Sequence, residues 1–259
     1  MEELKKEIRE FAKQLGVGII GFASIDRFDD APRGHKPTDF IKSAQSVISM
    51  GVPLVSTIAE WSSLLKDSEI ITDQEMRLNL LQDHIYGRCG YETVNTLLEQ
   101  IGFRMASFLE SKGYKSVYFP ATYAHHANIM EKIPGFFAPF SHRHAAVRAG
   151  LGEFGLNGLV ITPQYGPRVR FMSVITEVPL KPSEMLERKV CLGTSCSICV
   201  NACGTKCITV PESLDETTFW SNIPVTVDKE LCYRKHREAY CWGRCLLVCP
   251  VGKSSTGGA

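Results

Sequence analysis

The sequence predicts an α/β (or α+β) domain followed by a small cysteine-rich module. Three observations carry this reading. From Met1 to Lys181, stretches with helical apolar spacing interleave with short strand-like apolar runs. Nine of the ten cysteines fall between Cys191 and Cys249. At 259 residues, 44% hydrophobic and 22% charged, the chain is long enough to bury a sizeable core and carry a second unit. The expected division is residues 1–181, residues 182–252 and a polar Gly/Ser-rich tail over 253–259.

Leu4, Ile8, Phe11, Ala12 and Leu15 recur at helical spacing, and Gly16 follows as a stop. Val17–Ala23 and Ser46–Leu54 read as buried strands. Val94, Leu97, Leu98, Ile101, Met105, Phe108 and Leu109 mark one face of a long helix ending at Lys112-Gly113. Lys115–Phe119 reads as a third strand. Gly158–Ile161 and Val169–Thr176 read as two more, joined through the turn residues Pro163, Gly166 and Pro167.

Composition narrows the function. Lys+Arg is 29 and Asp+Glu is 28, a net charge of +1, which argues against a nucleic-acid partner. No run of apolar residues is long enough to predict a membrane span, and the opening MEELKKEIRE has no apolar segment of a secretory signal, so a cytoplasmic protein is expected. In that compartment clustered thiols are expected to hold metal rather than pair as disulfides.

The cysteine spacing carries the strongest chemistry. The first run is Cys191-x4-Cys196-x2-Cys199-x3-Cys203, with Cys207 four residues on. The second is Cys232-x8-Cys241-x3-Cys245-x3-Cys249-Pro250. Short spacings let one loop supply three thiolates to a cubane, and a fourth cysteine beyond that loop serves the other cluster. The runs therefore read as a two-cluster ferredoxin-like module. Cys191, Cys196, Cys199 and Cys249 are expected at one 4Fe–4S cluster, and Cys203, Cys232, Cys241 and Cys245 at the other. Cys207 is one thiol more than eight ligands require and is able to replace a neighbour. Structural zinc also uses four thiolates and is the alternative. Cys89, alone, is expected to be a packed small side chain.

Between Ala121 and Leu180 the chain is rich in glycine, histidine and arginine. Gly150, Gly152, Gly155 and Gly158 fall within nine residues, a density that permits close backbone approach to a bulky ligand or a tight helix–strand connection.

The block AGLGEFGLNGLVITPQYGPRVRF followed by TEVPL resembles the core motif of cobalamin-dependent reductive dehalogenases and epoxyqueuosine reductases. The opening KKEIREFAKQLGVGIIGFASID is similar to that of the latter, and the two cysteine runs ending in Cys-Pro follow in the same order. The resemblance implies a nitroreductase-like domain holding base-off cobalamin, two 4Fe–4S clusters passing electrons to cobalt, and a protein acid. It makes Gly150, Leu151, Gly152, Gly155, Asn157 and Gly158, with Arg143, the expected corrinoid contacts. A small-molecule substrate and a ferredoxin or flavodoxin as electron donor are the expected partners.

Two positions depart from the family pattern. Phe136, in PGFFAPF, stands where epoxyqueuosine reductases carry an Asp, and Leu156 stands where a basic residue usually follows the glycine motif. The acid must then come from elsewhere. Tyr123, His125, His126, His142 and His144 crowd before the glycine motif, and Tyr123 and His142 are the first candidates. On a strand His142 and His144 would share a face. Arg143, Arg148, Arg168 and Arg170 are candidates for corrinoid amides or an anion, or for structural pairs. Two other functions fit the same features: an electron-transfer or corrinoid-handling protein without its own substrate, and a reductase holding FMN in place of cobalamin.

Overall fold

Strand β6 (Val169–Thr176) is an inner strand of the sheet in the large domain. It pairs antiparallel along its full length with β2 (Ser46–Pro53), and its far edge pairs with β3 (Ser116–Tyr118). Strand β1 (Ile19–Ser24) completes a four-stranded sheet in the order β1-β2-β6-β3. The computed structural model that gives this arrangement describes residues 1–122 and 138–253.

Every pairing in the sheet is antiparallel. The domain is therefore α+β, and its helices are not crossovers between parallel neighbours.

The two-residue period of the strands separates two cores. Phe22, Ile48, Met50, Met172 and Val174 face helix α1 (Glu2–Gln14) and the long helix Thr93–Ser111. Those helices bring Ile8, Ala12, Leu98, Ile101, Met105 and Leu109. Each such fully buried aliphatic side chain stabilises the fold by about 1.5–3 kcal/mol. Ala23, Val47 and Ile175 face the other way, against Ala145 and Ala149 at the helix His142–Arg148. That helix lies close because the sheet surface beneath it is small: a β-carbon at Gly21 would strike the carbonyl oxygen of Ala149.

The sequence reading left residues 74–92 unassigned. A helix begins at Gln74, capped by the Asp73 side chain accepting from the Met76 N–H, and widens into a π-helical stretch over Leu81–Glu92. Tyr86 and Leu81 point inward to Trp61 and Trp242. Cys89 faces outward and is exposed, so it is not the packed side chain expected.

The cysteine module is not separated by a core boundary. Phe154, Leu156, Val160 and Phe171 of the large domain pack in one cluster with Cys203, Cys207, Ile208, Trp220 and Val225. Residues 182–188 lie along β1, where the N–H of Phe22 donates to Ser183 Oγ at 3.0 Å and Ser183 N–H donates back to the Phe22 carbonyl at 2.8 Å. Within the module, the one-turn helices Ile198–Asn201 and Arg244–Leu247 pack together. A hairpin of β7 (Ile208–Thr209) and β8 (Thr226–Val227) stands beside them.

Candidate metal centre

Two groups of thiols come together in the module. Cys191, Cys196 and Cys199 from the first run meet Cys249 from the end of the second around one cavity. Leu156, Asn157 and Ile161 of the glycine segment form its opposite wall. The second group is Cys203, Cys207, Cys232, Cys241 and Cys245. Cys232 feels the charges of Cys207, Cys241 and Cys203, and Cys245 those of Cys241, Cys232, Cys199 and Cys203. Among the described residues no three Cys, His, Asp or Glu side chains converge as ligands of a single ion do.

These thiols resist ionising together. Burial, followed by repulsion from Cys191 and Cys249, pushes Cys199 up to about 11. Burial, then the charge of Cys207, pushes Cys232 up to about 12, and Cys245 is raised by burial and then by Cys241. A cationic iron centre offsets both causes, because metal charge stabilises the thiolate form. The donor set therefore fits iron–sulfur clusters.

The large domain supplies the anchors that bring the two runs together. Glu153 is fully buried in β4 (Glu153–Phe154), which pairs with β5 (Val160–Ile161). One of its oxygens accepts the N–H groups of Val190 at 2.5 Å and Cys191 at 2.7 Å; the other accepts Trp220 N–H at 3.2 Å. The guanidinium of Arg168 donates to the carbonyls of Cys249 at 2.9 Å, Leu246 at 3.3 Å and Val251. Gly166, at φ +56°, lets the same loop close on the Val251 carbonyl, which a β-carbon would strike. Asn157 donates to the Cys245 carbonyl at 3.2 Å and so touches both thiol groups. The sequence reading missed Glu153 and the anchoring role of Arg168. An acid between Gly152 and Phe154 in an apolar strand was the available signal.

The glycines of the motif permit close packing within the protein itself. A β-carbon at Gly152 would lie 2.5 Å from the Ile161 carbonyl oxygen, and one at Gly155 would lie 2.6 Å from the Ile161 side chain. Gly150 and Gly158 have positive φ and abut Glu184 and Val227. The space these glycines leave is filled by protein, not kept for a ligand. Leu151 is half-buried against the sheet, and Arg143 is half-buried with its guanidinium on the Gly158 carbonyl.

His142 and His144 lie on the helix His142–Arg148, not on a strand. Ser141 starts the helix, its side chain accepting the His144 N–H, and the two rings diverge. His142 Nε2 meets the Pro120 carbonyl and Nδ1 meets Ser173 Oγ, each at 3.0 Å. Burial, against the Pro120 bond and with some help from Arg170, lowers its pKa to about 4. The ring is thus neutral near pH 7 with both nitrogens engaged, so it is not a ready general acid. His144 bonds Ser141 Oγ and lies tilted against the Phe154 ring at 4.8 Å; burial, then Arg148, lowers it to about 4. Tyr123, His125, His126 and Phe136 lie outside the described residues. Arg148 pairs with Asp30 at 2.7 Å, and Arg170 donates to Asn95 at 2.6 Å while lying over the Tyr91 ring.

An antiparallel α+β domain packs through a shared core against a module in which nine thiols gather, a donor set of the kind that suits soft metal centres. Comparison with known proteins narrows the reading. The chain is 26% identical over 268 residues to the epoxyqueuosine reductase of Bacillus subtilis, covering 97% of this chain and 64% of that one. It is 33% identical over 120 residues to the tetrachloroethene reductive dehalogenase of Sulfurospirillum multivorans, covering 42% of this chain and 23% of that one. The fold is shared with the epoxyqueuosine reductase of Streptococcus thermophilus, at a TM-score of 0.57 and 18% identity over 96% of this chain and 66% of that one. A reductive dehalogenase structure described in terms of B12-dependent dehalogenation matches at 0.58 and 18%, covering 96% and 32%. No family model matches the chain. The chain is thus similar along nearly its whole length to an epoxyqueuosine reductase and over part of it to a reductive dehalogenase. It spans less than two thirds of the length of the Bacillus subtilis relative. Among the described residues no helix is long and apolar enough to cross a membrane.

Proposed function

We propose that this chain is an iron–sulfur reductase of the corrinoid-dependent kind, carrying electrons through two 4Fe–4S clusters to a corrinoid that reduces a small-molecule substrate. The observation that carries the reading is the meeting of Cys191, Cys196 and Cys199 with Cys249 around one cavity, across 58 residues of chain. That interleaving is what two-cluster ferredoxin modules require. The B12-dependent dehalogenation described for one structural neighbour supports the corrinoid. When bound, it would supply low-potential, two-electron chemistry at cobalt.

The chain's own contribution is positional. Glu153 and Arg168 hold the two cysteine runs so that ligands distant in sequence face one cluster. Leu156 and Ile161 wall that cluster with apolar surface, which excludes water and tunes its potential. The acid for the substrate step is sought in Tyr123, since His142 is occupied. A ferredoxin- or flavodoxin-like donor in a reducing compartment such as the cytoplasm suits a module of unpaired cysteines. The small-molecule reading draws on a catabolic reductive dehalogenase solved with 3-bromo-4-hydroxybenzoic acid, whose fold matches at a TM-score of 0.57.

The test is anaerobic titration of the iron-loaded protein with cobalamin and, separately, FMN, followed by turnover of organohalides and epoxides with a low-potential reductant. Stoichiometric cobalamin binding with turnover supports the reading. Stoichiometric FMN without cobalamin binding replaces it with a flavin reductase. Cobalamin binding and reduction without turnover replaces it with a corrinoid-handling protein.

A further inference from the structure

The second thiol group holds five sulfurs, whereas a 4Fe–4S cubane takes four. Their arrangement is uneven, with Cys207 central: it interacts with Cys203 and with Cys232. Cys203 Sγ and Cys207 Sγ lie 3.6 Å apart, in van der Waals contact, and both are buried. The turn between them makes this so. Lys206 adopts φ +54°, its N–H returns to the Cys203 carbonyl at 3.1 Å, and Thr205 Oγ1 sits 3.5 Å from Cys203 Sγ. The far side of Cys207 is fixed as well. Its carbonyl accepts the Asp228 N–H at 2.9 Å, and Asp228 caps the helix Lys229–Lys235 that bears Cys232.

Thiolates on different irons of a cubane diverge toward separate corners and are held apart by the cluster between them. Two sulfurs in contact cannot take two corners without the turn opening. Resting on the two-cluster reading, we propose that Cys203 and Cys207 share one corner of the second cluster. One ligates iron as the thiolate while the other waits beside it as the thiol. Exchange is balanced within the pair: the iron–sulfur bond to Cys203 breaks, that to Cys207 forms, and the Cys207 proton passes to Cys203, with no electron gained or lost. Cys232, Cys241 and Cys245 hold the remaining corners. The arrangement gives this cluster a spare ligand that the cluster at Cys191, Cys196, Cys199 and Cys249 lacks.

The test is anaerobic reconstitution of the full chain with iron and sulfide, read by iron and sulfide content and by the electron paramagnetic resonance of the reduced clusters. Wild type is expected to hold about eight irons. Cys203→Ala and Cys207→Ala are each expected to keep about eight, with the signal of one cluster altered when Cys203 is replaced. The double variant Cys203→Ala/Cys207→Ala, like the unbacked control Cys245→Ala, is expected to fall to about four. If Cys203→Ala does not fold, the closer-sized Cys203→Ser takes its place, and Cys203→Ser/Cys207→Ala then shows whether retention depended on Cys207. A fall to about four irons in the Cys203 single variant, with wild type at eight, overturns the shared corner and leaves the two-cluster reading intact. So does retention of eight in the double variant. A wild-type chain that takes up no iron overturns both.

Discussion

The buried carboxylate of Glu153 accepts the backbone N–H of Cys191 at 2.7 Å, tying the start of the cysteine module to the glycine motif of the large domain. The same carboxylate also holds Val190 and Trp220 N–H groups, so three buried donors depend on one side chain. Replacing it by Leu leaves those donors unsatisfied, at about 1–3 kcal/mol each before relaxation. Glu153→Leu is expected to lower the urea midpoint and to release iron preferentially from the cluster at Cys191. Glu153→Gln, which keeps one acceptor, is expected to fall between. An unchanged midpoint and unchanged iron in both variants would remove Glu153 from this role.

Arg168 performs the matching task at the other end of that cluster, with its guanidinium on the Cys249, Leu246 and Val251 carbonyls. Lysine cannot reproduce that fork. Arg168→Lys is expected to speed iron loss to a chelator several-fold while leaving the secondary structure intact by circular dichroism.

Gly152→Val tests what the glycine motif is for. The new side chain meets the Ile161 carbonyl and the Val160 side chain, so the variant is expected to lose about 1–3 kcal/mol or more of stability in protein that has never met a corrinoid. Normal stability combined with lost cobalamin binding would restore the ligand-clearance reading.

Stability should also depend on pH through His142. Its folded pKa, about 4, lies below the ordinary value of 6.5, so the unfolded chain binds the extra proton. The sign follows: the contribution is complete above about pH 6.5 and is lost as pH falls toward 4, by a total on the order of 3 kcal/mol. Compared at equal iron content, His142→Gln is expected to show a smaller loss of urea midpoint between pH 7 and pH 5 than wild type. Equal losses would mean that the ring is protonated in the fold.

Much of this was legible in the chain itself, for identifiable reasons. Strand β6 was read with its observed bounds because Val169–Thr176 is a continuous β-prone run bounded by turn residues. The cysteine groups followed from spacing, since short intervals leave a loop few ways to wrap. Pairing direction was not legible, because β2 and β6 are joined by long-range contacts that no local pattern records. Sequence leaves the relative facing of His142 and His144 open, because the Ser141 cap that starts their helix is a single residue. Glycine density told of close approach but not of what approaches. Glu153 escaped notice because a buried acid declares itself only through partners far along the chain.

The central claim is that the nine gathered thiols hold two iron–sulfur clusters, and metal analysis of anaerobically prepared protein alongside its absorption spectrum tests it most directly. About eight irons and eight sulfides per chain, with a brown absorption that bleaches on reduction, are expected. A colourless protein that holds zinc and takes up no iron on reconstitution would contradict it.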